Sequence, residues 1–138
     1  MAPGLKKFEI LKHTADLKIK VFGKNREELF KNALFGMSKC QRAETLSEKT
    51  KRKIRLKSSD LSALLVDFLS EALYLSQVHK EVYFNVEFEK FSEIELEGNL
   101  TGQKVKRFGE DIKGVTYHNL DIHQREDGTW QATVLYDI

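Results

Sequence analysis

The feature that most constrains the fold is an apolar stripe in the middle of the chain. Between Leu61 and Leu75, apolar residues recur at spacings of three and four, the period of a helix with one buried face. Asp60 directly precedes the stripe and is predicted to cap the helix. This segment is therefore predicted to be the core helix. The stripe consists of Leu61, Leu64, Leu65, Phe68, Leu69, Ala72 and Leu73.

One further helix and several strands are predicted around it. Asn25 followed by Glu28 has the spacing of a capping box, which predicts a helix from about Arg26 to about Lys39. Alternating apolar residues predict strands at Leu17–Val21, Lys51–Lys57, Val82–Phe88 and Ile94–Leu96, and a hairpin of Val115–Gln124 and Trp130–Tyr136 that turns at Asp127-Gly128. A shift in the alternation between Tyr117 and Leu120 predicts a bulge.

The order of these elements indicates the fold class. Helices do not alternate regularly with strands, which favours an α+β fold. We expect a single compact domain over residues 1–138, with two helices packed on a mostly antiparallel sheet of about six or seven strands. Gly98-Asn99 is predicted to form a tight turn into a further strand through Leu100. Thr101–Gly114, with two internal glycines and no clear period, is predicted to be one long loop.

Cysteine usage and the apolar segments indicate the compartment. Cys40 is the single cysteine of the 138 residues, which excludes an intramolecular disulfide and implies no disulfide-linked partner. The start of the chain lacks the apolar stretch of a secretory signal, and Asp67 and Glu71 interrupt the most apolar segment. We therefore expect a cytoplasmic protein that does not associate with a membrane.

Charge is distributed unevenly along the chain. Residues 1–60 contain 16 basic and 7 acidic side chains, and residues 61–138 contain 7 and 14, so the formal charges are +9 and −7. Lys51, Lys53, Arg55 and Lys57 share one face of their predicted strand. Such a row could follow a phosphate backbone, but it equally protects an exposed strand edge from pairing, which we favour slightly. No aromatic residue interleaves with it, as a stacking platform for single strands would require.

Short motifs of common enzymes are absent from the sequence. There is no GxGxxG, P-loop, GxSxG or HExxH, so an enzyme is not the leading interpretation. Three polar groups remain as candidates. The first is His13-Thr14-Ala15-Asp16 before a strand, the second is Asp137-Ile138 at the end of the sequence, and the third is Lys113 to His118 at the exit of the predicted loop. The first two offer carboxylates, and each histidine could bind a metal or move a proton.

These three groups, taken together with the core helix, resemble the archease family. The resemblance rests on His13-Thr14-Ala15-Asp16, on Ile112-Lys113-Gly114-Val115-Thr116-Tyr117-His118-Asn119-Leu120, on the helix segment Asp67–Leu75 and on the ending Asp137-Ile138, and it covers the whole chain. Two positions differ from the usual family pattern. Leu17-Lys18 replaces Val-Gly after the aspartate, and Gly114 replaces an alanine.

The resemblance implies a function, a metal site and a partner. It implies a protein cofactor that activates an RtcB-type RNA ligase by promoting ligase guanylylation and multiple turnover in tRNA splicing or RNA repair, with RNA contacted through the ligase. It also implies a divalent-cation site at Asp16, Asp137 and Ile138, and places Lys113 at the ligase active site. Oxygen-only donors select calcium, magnesium or manganese over zinc. Calcium is the expected ion, with magnesium or manganese as alternatives. His13 and His118 are further polar candidates near the site.

Two rival functions remain open at this stage. A nucleic-acid-associated chaperone could use the basic segment from Lys49 to Lys57. A metal hydrolase would need a general base beside the cation, and His13 or His118 could serve.

Overall fold

The computed structural model describes residues 6–12 and 16–138. Within these ranges the elements, in chain order, are β1 (Phe8–Lys12), β2 (Asp16–Gly23), α1 (Arg26–Cys40), β3 (Ala43–Lys57), α2 (Leu61–His79), β4 (Glu81–Phe91), β5 (Glu95–Phe108), β6 (Gly114–Gln124) and β7 (Trp130–Asp137). The two helices and the mostly antiparallel strands confirm the predicted α+β class.

The strands form two antiparallel sheets rather than one. The four-stranded sheet has the order β1-β2-β7-β6, and the three-stranded sheet has the order β3-β5-β4. Helix α1 packs on β2 and β4, and α2 packs on β6 and β4, so each helix touches both sheets. One hydrophobic cluster therefore contains residues of all these elements. Its centre includes Phe30 of α1 and Phe68 of α2, whose ring centroids lie 5.6 Å apart.

Both predicted helices begin where their caps indicated. The Asn25 side chain accepts a hydrogen bond from the Glu28 N–H at 2.8 Å, and the Asp60 side chain accepts one from the Ala63 N–H at 2.8 Å. Helix α2 ends at His79 and is capped by Lys80, which has a left-handed conformation (φ 55°). Within residues 6–12 and 16–138, α2 is the one helix long and apolar enough to cross a bilayer. Here its apolar stripe, including Leu64, is buried in the core.

The predicted hairpin is also present, as β6 and β7. Gly128 has φ 89° in the turn, and the Asp127 side chain accepts hydrogen bonds from the Thr129 N–H and hydroxyl. The register shifts between Thr116 and Asp121, where the bulge was predicted. Strand β1 was not predicted, and β3 begins eight residues earlier than the predicted strand at Lys51.

The predicted turn at Gly98-Asn99 and the predicted loop at Thr101–Gly114 are wrong over most of their length. Strand β5 runs without a break from Glu95 to Phe108, and the turn into it is formed by residues 92–94. Gly98 and Gly102 lie opposite two register shifts of β4, between Phe88 and Lys90 and between Tyr83 and Asn85. At both glycines a Cβ atom would collide with the β4 backbone. They are therefore sites of close approach to bulges, not chain breaks.

A buried carboxylate joins the end of α2 to all three strands of the smaller sheet. Glu81 is 1% exposed, and its two oxygens accept hydrogen bonds from Arg52 Nε and Nη2, each at 2.8 Å. The Tyr83 hydroxyl donates to Glu81 at 2.7 Å, and the Lys104 ammonium lies 3.4 Å away. Hydrogen bonds from Arg52 hold the pKa of the Glu81 carboxyl at about 2, against the opposing effect of burial.

The close approach at Gly102 generates a stability prediction. We expect Gly102→Ala to destabilise the fold by about 2–3 kcal/mol, because its Cβ would collide with the Val82 carbonyl group and β4 and β5 would have to separate. The midpoint of urea unfolding measures this effect. Gly114→Ala is the matched control, because a Cβ there meets no atom within 4 Å and an alanine restricts the unfolded chain. It should leave stability unchanged or raise it by about 0.4–1 kcal/mol. Equal losses at the two glycines would contradict the bulge interpretation.

The Glu81 pKa predicts how stability changes in acid. Because the folded-state pKa is about 2 and the ordinary value is 4.5, the contribution of Glu81 is complete above pH 4.5 and is lost as the pH falls towards 2. We expect Glu81→Gln to lower the urea midpoint at pH 7 and to flatten its fall between pH 4.5 and 2. Glu89→Gln, on the exposed surface of the same strand, should retain the parent pH profile.

Candidate functional site at one end of the four-stranded sheet

Two aspartates lie directly opposite each other at one end of the four-stranded sheet. Asp16 is the first residue of β2 and Asp137 the last of β7, and they are register partners although 121 residues separate them in sequence. Their neighbours Leu17 and Tyr136 point into the core at 6% and 1% exposure. Because side chains alternate along a strand, both carboxylates lie on the outer face, with Cβ atoms about 4.5–5.5 Å apart.

The Asp16 carboxylate has an unsatisfied oxygen. Its Oδ1 atom is buried and accepts no hydrogen bond from any described residue. A buried carboxylate oxygen without a partner is costly, and a second carboxylate directly opposite adds repulsion. A hard divalent cation would relieve both, since it takes carboxylate oxygens as ligands. The residues present thus fit the cation that the family resemblance implies.

Lys113 reaches the same end of the sheet through the adjoining strand. The Lys113 N–H donates to the Asp137 carbonyl oxygen at 2.7 Å, and Gly114 is the register partner of Asp137. On its other side Ile112 is 1% exposed, and its carbonyl oxygen accepts a hydrogen bond from Gln77 of α2 at 2.7 Å. The Lys113 backbone is therefore fixed while its side chain is exposed. Gln77 was missed in the sequence because nothing local marks it as a partner of this loop.

Ile138 extends the site beyond Asp137. Its side chain is partly buried and packs against the hydrophobic core. This packing holds the residue next to the two aspartates. The ligand role of its carboxylate, like that of Asp16 and Asp137, stays a prediction.

The two histidine candidates cannot be placed in the same way. His13 lies outside the described residues. His118 belongs to β6, within the stretch where the register shifts, but its side chain is not among those described. Over the described part of the chain, no group of three or more His, Cys, Asp or Glu side chains could hold a metal. The two aspartates thus form a two-carboxylate cluster there, and the predicted third ligand is the Ile138 carboxylate.

The two unusual residues of the sequence have clear positions. Lys18 lies on the outer face two residues along β2 from Asp16, about 6.6 Å further along the strand. Its charge therefore opposes a cation at the aspartates. Gly114 starts β6 in open space and its neighbour Lys113 is tied to β7, so the glycine does not loosen the loop.

The basic segment lies elsewhere, on the edge strand β3 of the smaller sheet. Lys51 and Lys53 are exposed opposite uncharged residues of β5, whereas Arg55 pairs with Glu97 at 2.9 Å and Lys57 faces Glu95. The position at an edge supports the interpretation that these charges protect the strand from pairing. In the folded protein, glutamates from residues 61–138 thus partly neutralise the basic side chains of residues 1–60.

Cys40 is buried at the end of α1. Burial and the nearby Glu110 carboxylate raise the pKa of its thiol to about 11. The thiol therefore stays protonated at neutral pH and is not an activated nucleophile.

The structure combines two helices and two antiparallel sheets with a carboxylate pair and an exposed lysine at one end of the larger sheet. Comparison with known proteins identifies the family to which this domain belongs. The model of the archease protein family matches residues 8–138. The chain belongs to the archease family.

Individual relatives and structures agree over almost the full length. Protein archease of Methanosarcina barkeri is 41% identical, with 96% of this chain and 97% of that protein covered. Protein archease of Pyrococcus abyssi is 31% identical, with 97% and 100% covered. The solution structure of Methanobacterium thermoautotrophicum protein 1598 is 26% identical with a TM-score of 0.68, covering 97% of this chain and all of that chain. A crystal structure described as an archease and possible chaperone, from Thermotoga maritima, shares the fold at 20% identity with a TM-score of 0.67, covering 93% and 94%.

Proposed function

We propose that this chain is a protein cofactor that activates an RtcB-type RNA ligase, promoting ligase guanylylation and repeated turnover in tRNA splicing or RNA repair. Membership of the archease family supports the proposal. The observation that carries it is the meeting of Asp16, Asp137 and the Lys113 backbone at one end of the four-stranded sheet. In this proposal the chain is not itself an enzyme, and it acts in the cytoplasm.

Asp16, Asp137 and the Ile138 carboxylate would hold the divalent cation. When bound, calcium, or magnesium or manganese in its place, would supply positive charge beside a nucleotide phosphate. The chain contributes the fixed spacing of two carboxylates on neighbouring strands. Their placement on the outer face leaves the site open to a partner.

Lys113 would contribute a second positive charge. Its backbone is fixed on one side by Asp137 and through Ile112 by Gln77, so its ammonium group projects from a rigid base. Phosphoryl transfer is accelerated by charges held in position around the phosphate. The shallow depression beside Lys113 also contains Tyr74 of α2, which is 59% exposed and offers an aromatic contact to a docked ligase.

The rival functions have less support. The T. maritima protein is described only as a possible chaperone, and the basic segment here is an edge strand partly neutralised by glutamates. Membership of the archease family favours the activator over a metal hydrolase, which would require a general base beside the aspartates.

The carboxylate pair predicts opposite effects of Asp16→Asn with and without cation. In chelator the variant should be more stable than the parent by about 0.2–1 kcal/mol, because the repulsion with Asp137 is removed. Calcium at 100 times its dissociation constant should stabilise the parent by about 2.7 kcal/mol, but should leave the variant unchanged. Thermal unfolding with chelator and with calcium measures both effects.

Asp121→Asn is the matched control, because Asp121 is an exposed aspartate of the same sheet that contacts His123. It should keep the calcium response of the parent. A C-terminal tag would displace the Ile138 carboxylate and should weaken calcium binding. If tagged and untagged proteins bind calcium equally, Ile138 is not a ligand. An equal calcium response in Asp16→Asn would contradict the site.

Lys113→Ala should slow guanylylation of the ligase by at least about 10-fold without changing thermal stability, because it removes an exposed, positioned charge and keeps the backbone hydrogen bond to Asp137. The rate of ligase–guanylate formation with GTP and metal, in the absence of RNA, measures this. Lys53→Ala, an exposed lysine of β3, should stimulate the ligase as the parent does. Full stimulation by Lys113→Ala would remove that residue from the mechanism.

A further inference from the structure

A groove with lysines and partly exposed aromatic rings runs beside α1, away from the carboxylate pair. It has a volume of about 390 Å³, within the range of small-ligand sites. Lys24 precedes α1, Lys31 and Phe35 lie on the helix, Lys7 precedes β1, and Phe84 comes from β4. The groove therefore lies where α1 meets both sheets.

A bulge in β4 directs Phe84 into this groove. Tyr83 pairs with Gly102 and Asn85 with Thr101, so Phe84 is the extra residue between two paired positions. Alternation in the sequence groups Phe84 with Val82, which is fully buried, yet Phe84 is only half-buried. Bulges commonly re-aim a side chain near a functional site. The missing Cβ of Gly102 permits this one, because a Cβ there would collide with β4.

Two lysines, Lys7 in the groove and Lys39 beside it, face aromatic rings of the groove instead of carboxylates. The Lys7 and Lys39 ammonium groups lie 4.8 and 5.1 Å from the centroid of the Phe35 ring, and Lys39 lies 5.6 Å from that of Phe84. Among the described residues, no carboxylate oxygen lies within 4.0 Å of the ammonium group of Lys7, Lys24, Lys31 or Lys39, whereas several basic side chains of the smaller sheet are paired in this way. The groove is therefore a site of uncompensated positive charge.

The one carboxylate in the groove is already engaged. Glu28 accepts a hydrogen bond from the backbone N–H of Lys24 at 3.1 Å, as part of the α1 cap. A ligand with negative charges and flat rings would match both the ammonium groups, which have no carboxylate partner, and the aromatic rings. Single-stranded nucleic acid has this combination, since its bases stack on aromatic side chains while lysines contact its phosphates. An acidic peptide would use the charges but leave the ring faces without a matching partner.

We propose that the groove along α1 binds single-stranded nucleic acid, with a base stacked on Phe84 and phosphates bound by Lys24, Lys31 and Lys39. The direction of the groove agrees with a role near the carboxylate pair. Lys31, Phe35 and Lys39 follow one face of α1 at helical spacing, and Lys39 borders a depression that includes Leu17, the neighbour of Asp16. A strand in the groove would thus lead towards that end of the sheet. The inference goes beyond the proposed function, which requires no contact with RNA.

Fluorescence anisotropy of a short labelled single-stranded RNA, measured without ligase, tests the proposal. Phe84→Leu keeps apolar volume but removes the ring face and should weaken binding by about 5-fold to 100-fold, whereas Phe84→Tyr should bind as the parent does. Lys31→Gln should weaken binding and reduce the dependence of log K on log salt by about 0.7, the value for one phosphate contact of a single strand. Thermal unfolding of each variant shows that the fold is retained.

Two controls identify the surface and the ligand. Lys53→Gln, on the β3 edge, should leave RNA affinity unchanged, and a poly-glutamate of equal charge should compete weakly. Absence of RNA binding at low salt would overturn the proposal. So would RNA affinity that falls in Lys53→Gln but not in Lys31→Gln, which would assign binding to the edge strand. Equal competition by poly-glutamate, or equal affinity of Phe84→Leu and Phe84→Tyr, would exclude base stacking.

Discussion

The smaller sheet and the ends of both helices depend on the ion pairs and hydrogen bonds of the buried Glu81 carboxylate. An unpaired carboxylate in this position would cost several kcal/mol, so its partners must all be in place when the domain is folded. Arg52 comes from β3, Lys104 from β5 and Tyr83 from β4 itself. The three strands are thus held in one register at the point where α2 ends. Apolar packing alone tolerates small shifts of one strand along another, whereas the ion pair between Arg52 and Glu81 does not.

The same region also positions the loop of the candidate site. Ser76 of α2 donates to the Glu81 carbonyl oxygen, and Gln41 at the end of α1 donates to the Ser76 hydroxyl. The Gln41 carbonyl in turn accepts the N–H of Gly109, where the loop towards Lys113 begins. A chain of hydrogen bonds therefore links the backbone of Glu81 to Gly109, the start of the loop that carries Lys113. Rigid support of this kind is what a positioned charge requires.

Sequence reasoning was accurate where local signals determine structure. Helix α2 and the β6–β7 hairpin follow from caps, periodicity and a turn that lie within a few residues of each other. The loop predicted from Thr101 was wrong because Gly102 marks close contact with a distant strand, which no local pattern reveals. Asp16 and Asp137 were paired through family resemblance, since their register depends on the order of strands in the sheet. The exposure of Phe84 depends on the same bulge and could not be predicted.

The order of the four-stranded sheet has a consequence for how the domain is assembled. Strand β7 lies between β2 and β6, yet it follows both in the chain. During synthesis, β2 cannot pair with β7 until more than a hundred further residues have been added. Such distant pairing is slow and leaves strand edges exposed in the meantime. The carboxylate pair consequently forms only when β7 inserts, so the proposed cation site exists only in the completed fold.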